Sequence, residues 1–129
     1  MYKELIISAI IVISIFILDY ITQKYTDNAI NDAIQDLSIL QQSLKTEKID
    51  NEKVVEDVGK KYEKWLDYHE RLAFYIEHNE LEKVETNYVS GKSFIENAKY
   101  EDAMSEIEKT IFVLKHINDK YSINLANIF

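Results

Sequence analysis

The chain has 129 residues, enough for one domain. It contains no Pro and only two Gly, where average usage predicts roughly six and nine; so few breakers favour helices over a turn-rich sandwich or a doubly wound sheet. The absence of Cys excludes disulfides, a thiol nucleophile and Cys-ligated zinc, and a net charge of −8 argues against a nucleic-acid partner, which needs a basic face.

The chain opens on an uncharged run of fourteen residues, Leu5 to Leu18, between Glu4 and Asp19. As a helix it covers about 21 Å of a hydrocarbon core about 30 Å thick. Tyr20 and Ile21 extend it, Lys3 can snorkel, and Tyr2 and Tyr20 suit the two interfaces. Short spans of this kind are accommodated by local thinning of the bilayer. The length also fits the apolar part of a cleaved signal peptide, but residues 19–25 offer no small-x-small cleavage site. A buried core helix is the third reading, and it suits poorly a segment that is apolar on every side. The favoured reading is an uncleaved single-pass anchor over residues 1–22, with residues 23–129 as a helical bundle domain. The basic residues flanking the run scarcely discriminate between orientations. The very short N-terminal tail favours a cytoplasmic N-terminus and an extracytoplasmic bundle.

Beyond the run a heptad-like stripe follows without interruption: Ile30, Ala33, Leu37, Leu40 and Leu44, widened by Ile34. One long helix to about residue 45 is expected, then a polar connection over residues 46–51 with Asp50 or Asn51 as the next N-cap. Val54, Val58, Tyr62, Trp65, His69, Leu72 and Ile76 mark a second helix over about 52–77. Asn79 with Glu82 resembles a capping box, and Leu81, Val84, Tyr88, Gly91 and Ile95 carry a third stripe. Whether residues 52–96 form one bent helix or two stays open at this level. Asn97-Ala98-Lys99 reads as a turn, and Ala103, Ile107, Ile111, Leu114 and Ile117 as a last helix over about 100–121. Its centre, Ile111 to Leu114, is apolar all round, which predicts packing between neighbours. Ile123, Leu125, Ile128 and Phe129 suggest a terminal strap docked on the bundle. The expected fold is all-α: a transmembrane helix continuing into an antiparallel bundle of three to four helices.

A search for chemistry returns little. The residues three before His69, His78 and His116 are Leu66, Tyr75 and Val113, so no Glu-x-x-His pair for a di-iron centre exists. His69-Glu70 begins a zinc-protease motif, but Ala73 stands where the second His belongs. Gly91-Lys92-Ser93 imitates the end of a phosphate-binding loop, with Thr86 in place of the required Gly. Gly91 instead suits close helix approach. No cofactor, metal site or catalytic residue is assigned, and the chain reads as non-enzymatic.

The expected function is therefore contact at a membrane surface. The lipid bilayer is met through Leu5 to Leu18, and a further partner is another protein or a second copy bound through the Ile30–Leu44 stripe. Candidate interaction residues are Trp65, His69, Glu77, His78, Glu80, Asn127 and Phe129. The alternative is an extracytoplasmic ligand or divalent-ion binder using the acidic segment 67–85, which holds Asp67, Glu70, Glu77, Glu80, Glu82 and Glu85.

Five elements taken together resemble one family: Trp65 to His69, Ile76-Glu77-His78-Asn79-Glu80-Leu81, the Asn97–Ala103 turn, Leu114-Lys115-His116-Ile117 and the ending Asn127-Ile128-Phe129. It is a domain-of-unknown-function family of short proteins from low-GC Gram-positive bacteria, with an N-terminal hydrophobic helix and a helical remainder. The resemblance implies the same architecture and brings no activity, cofactor or site residue. Glu4 before the apolar run is also similar to the start of a type IV pilin, but the kinking Pro and the strand-rich head of that family are missing here.

Overall fold

The computed structural model describes residues 1–122. With no breaker in its first half, the chain forms one uninterrupted helix, α1 (Tyr2–Leu44), of 43 residues. At 1.5 Å per residue this is a rod about 64 Å long. Its two parts obey different rules. Residues 1–18 are exposed on every side, whereas the later part buries Thr26, Ala29, Ile30, Ala33, Leu37, Leu40 and Leu44 along one stripe.

Asp50 caps the second helix, α2 (Asn51–Leu72), its carboxylate accepting from the Lys53 amide at 3.2 Å. The helix ends five residues before the expected position 77. Ile76 nonetheless stays 4% exposed in the core, which is why the stripe ran on through a segment that is not helical. Residues 52–96 are thus two helices, the next being α3 (His78–Glu96). Its N-cap is Glu77, with no side-chain capping bond, and Asn79 lies inside the first turn, so the Asn79–Glu82 capping box does not form. The third stripe behaves as expected: Leu81, Val84, Tyr88, Gly91 and Ile95 are all buried.

The turn at residues 97–99 is a Schellman motif. The Lys99 amide donates to the Phe94 carbonyl at 2.8 Å and the Ala98 amide to Ile95 at 3.0 Å. Ala98 takes the left-handed position, φ 55°, that glycine usually fills. The last helix, α4 (Tyr100–Tyr121), buries Ala103, Ile107, Thr110, Leu114 and Ile117. Thr110 satisfies its hydroxyl on the Glu106 carbonyl at 2.8 Å. One expectation for this helix fails. Its centre is not enclosed, because Leu114 is buried while Phe112 is 73% exposed. The reason is that α4 packs on two neighbours, α1 and α3, and its outer face stays open.

The protein is therefore an all-α four-helix bundle in which α1–α2, α2–α3, α3–α4 and α4–α1 are the contacting pairs. Short connections make successive helices antiparallel. All three partners close on the Ile30–Leu44 stripe directly or across the core. Ile30 and Leu40 are fully buried, which corrects the expectation that this stripe is available to a second copy. The expected strap of Ile123, Leu125, Ile128 and Phe129 lies outside the described residues.

Candidate functional site

The candidate residues separate into two places. Trp65 is 1% exposed and belongs to the core, so it is corrected from an interaction residue to a packing one. Its apolar stripe position carried that information. The His69 ring stacks on it one turn later, with centroids 6.3 Å apart and planes 6° from parallel. His69 Nδ1 lies 4.0 Å from Glu85, and the Tyr62 hydroxyl donates to the same carboxylate at 3.3 Å. Tyr62 in turn packs on Tyr88 at 5.3 Å between centroids. These groups form the α2–α3 seam. Burial, with Asp36 and Asp57 nearby, raises the Tyr88 phenol well above its ordinary value, so it stays neutral in the core.

A second polar layer crosses from α1 to α2. Lys64 Nζ sits 2.7 Å from Asp32 and 3.2 Å from Asp36, and the Tyr68 hydroxyl donates to Asp32 at 2.6 Å. Hydrogen bonds from Lys64 and Tyr68 hold the Asp32 carboxyl below its usual range. The same bond to Asp32, reinforced by Asp36, raises Lys64. These partners lie 28 to 36 positions apart in the chain, and nothing in the stripes announced them.

The other place is the end of the bundle from which the apolar segment emerges. The Tyr75 hydroxyl, in the α2–α3 connection, lies 2.6 Å from Thr26 Oγ1 and 3.4 Å from the Thr22 carbonyl. The Glu77 amide donates to the Tyr121 hydroxyl at 3.0 Å, tying the start of α3 to the end of α4. Lys120 reaches Glu77 at 3.3 Å and Glu80 at 4.0 Å, and its bond to Glu77 raises its pKa. Glu80 is 8% exposed, and Lys83, one turn later on α3, lies 3.9 Å from the same carboxylate oxygen. It therefore lies at the α3–α4 junction and is corrected from an exposed surface contact to a buried position. Glu77 and His78 are open, with side chains 62% and 82% exposed. Asn127 and Phe129 lie outside the described residues.

The acidic segment does not converge. Glu80 faces Lys120, Glu85 faces Tyr62 and His69, Glu82 faces His78, and Asp67 and Glu70 are exposed on α2. Among the described residues no group of three His, Asp or Glu side chains is placed to hold a metal ion. One aromatic residue is claimed by none of the expected stripes: Phe74, 87% exposed beside Tyr75. The signal that would have found Phe74 is its place between two stripes, where no helical face claims it.

What the residues define is a four-helix bundle whose first helix projects an apolar, wholly exposed segment long enough to cross a membrane. Residues 20–128 match the family described as Domain of unknown function (DUF4363), and the chain belongs to it. The match begins inside α1, just past the apolar run. No curated protein and no solved structure matches the chain.

Proposed function

We propose that the protein is a single-pass membrane-anchored accessory protein that acts by contact and carries out no reaction of its own. One observation carries the reading. The apolar window of α1 is 0% buried against the rest of the chain, although α1 is the same helix that organises the core. A core helix would be covered by its neighbours, and water would not tolerate such a surface. The two serines in the run fit a lipid environment. Ser8 donates to the Glu4 carbonyl at 2.9 Å and Ser14 to Ile10 at 2.8 Å, so neither hydroxyl needs water. The unbroken passage from the run to Thr26 and Ala29 in the core favours an anchor over a removable leader.

In this reading the N-terminus is cytoplasmic and residues 23–129 lie outside the cytoplasm. Lys3 stays on the cytoplasmic side, and the acidic bundle is exported. Glu77 and His78 supply the polar contact corner. The chain has no Cys, so single cysteines report without background. Placed at Lys3 and at the exposed Lys109, they are labelled in intact cells with a membrane-impermeant thiol reagent, with lysed cells as control. Labelling at 109 alone, with the full-length protein in the membrane fraction, is the expected result. Protection at 109 in intact cells would reverse the orientation, and recovery in the soluble fraction would end the anchor reading.

A further inference from the structure

We infer that the α2–α3 connection is a second membrane contact, in which Phe74 enters the lipid interface beside the anchor. The inference rests on the anchor reading and adds a site to it. Three observations place the loop at the right level. The Tyr75 hydroxyl is bonded to Thr26 Oγ1 at 2.6 Å and lies 3.4 Å from the Thr22 carbonyl, and Thr22 directly follows Ile21, the last apolar residue of the run. Thr22 to Thr26 spans about 6 Å of helix axis. The headgroup zone on each side of a bilayer is about 5–8 Å deep, from a total of about 40–45 Å around a core of about 30 Å. A loop pinned to that turn of α1 therefore lies within the headgroup zone when Ile21 marks its inner edge.

The chemistry of the loop suits that zone. Phe74 is 87% exposed, more than any other exposed aromatic side chain among the described residues. Arg71, the only Arg in the chain, is exposed in the last turn of α2. An apolar ring next to a guanidinium is the composition of interfacial anchors, the ring meeting acyl chains and the cation meeting phosphates. The far end of the bundle has a different character. There the Tyr100 hydroxyl donates to Asn51 at 2.8 Å, and the α1–α2 connection is Lys45-Thr46-Glu47-Lys48-Ile49-Asp50, polar but for a half-buried Ile49. The occupant of the Phe74 surface is thus the bilayer, and continuity with the anchor argues for it over a protein partner. Two separated contacts would restrict the tilt of the bundle relative to the membrane plane, which one helix leaves free.

The test uses the full-length chain in phosphatidylcholine–phosphatidylglycerol vesicles. Nitroxide labels go on single cysteines at Val12 in the run, at Ala73 beside Phe74, and at Glu47 in the distal connection. Collision rates with oxygen, which concentrates in lipid, and with a water-soluble nickel chelate give the depth of each. The expected result is a deep reading at 12, an interfacial one at 73 and an aqueous one at 47. Phe74→Asp, at a position too exposed to disturb the core, should return the label at 73 to the aqueous value of 47. A deep label at 12 with an aqueous one at 73 would overturn the second contact and leave the anchor standing. An aqueous label at 12 would overturn both. An interfacial reading at 73 that survives Phe74→Asp would also overturn the assignment to Phe74.

Discussion

Gly91 sits where α3 meets α4, the most extensively contacting pair of helices, and its replacement by Ala tests how close that approach is. A Cβ built there would lie 3.5 Å from Glu106 Cβ, 3.7 Å from Ile107 Cγ1 and 3.9 Å from the Ala103 carbonyl oxygen. All three are ordinary van der Waals separations, so the methyl fits without a shift. Two gains then add. Ala is better than Gly inside a helix by about 0.8–1 kcal/mol, and burying one methyl contributes up to about 0.8 kcal/mol. Gly91→Ala should stabilise the bundle by about 1–2 kcal/mol. Gly59 isolates the first part, since a Cβ there meets nothing within 4 Å, and Gly59→Ala should gain about 1 kcal/mol. In a bundle of this size each kcal/mol moves Tm by on the order of 5 °C. The measurement is thermal unfolding of the full-length chain in detergent micelles, followed by helical circular dichroism. A lower Tm for Gly91→Ala alongside a higher one for Gly59→Ala would refute the packing argument and show that the helices approach too closely for a methyl at position 91. A lower Tm for both would refute the propensity argument as well.

Ala98→Gly should also stabilise, by about 1 kcal/mol, because it relieves an Ala held at φ 55°; no gain in the same melting assay would show that the turn carries no such strain. Trp65→Ala should cost about 3–5 kcal/mol and leave little folded protein near its former Tm, with Trp65→Phe losing less, whereas an unchanged Tm would return Trp65 to the surface. Acid should weaken the bundle through Asp32. Its folded pKa lies below the unfolded value of about 3.9, so its contribution is present above that value and is lost as pH falls through the folded pKa. The partly exposed pair is worth about 0.2–1 kcal/mol, and Asp32→Asn should flatten the Tm curve below about pH 4; a curve parallel to the parent's would assign the acid sensitivity elsewhere. The double variant Glu77→Ala with His78→Ala should shift Tm only slightly, since it removes exposed side chains and two surface contacts, Glu77–Lys120 and His78–Glu82, and a large loss would make this corner structural.

The helices were legible in the sequence because burial has a period. Ala103, Ile107, Leu114 and Ile117 marked α4 almost to the residue, and the absence of Pro and Gly foretold the length of α1. Period alone failed at Ile76 and Phe112. Ile76 is buried from a connection, so it extended a stripe beyond its helix, and Phe112 is apolar yet faces outward. Hydrophobicity reports what a side chain would prefer, and only the number of packed neighbours decides which faces are covered. The candidate site was the less legible part. Trp65 drew notice as an unusual residue on a stripe, and that placement buried it, whereas Glu80 stood out only for its charge and is buried beside a stripe. The ties that define the end of the bundle, Tyr75 to Thr26 and Tyr121 to Glu77, join positions 49 and 44 apart. Hydroxyl partners at such separations leave no periodic trace.

The unbroken α1 makes the apolar segment and the core a single mechanical member. It contains neither Pro nor Gly, so no swivel separates the exposed apolar part from the part packed in the core. Twist or thrust applied to the first part arrives undiminished at Leu44, and the bundle turns with it like a flag fixed to its pole. Residue count then becomes an angular setting. One residue inserted between Leu18 and Thr22 would raise the bundle by about 1.5 Å and rotate it by roughly 100°. Phe74 would then project from a different side of the apolar segment's axis.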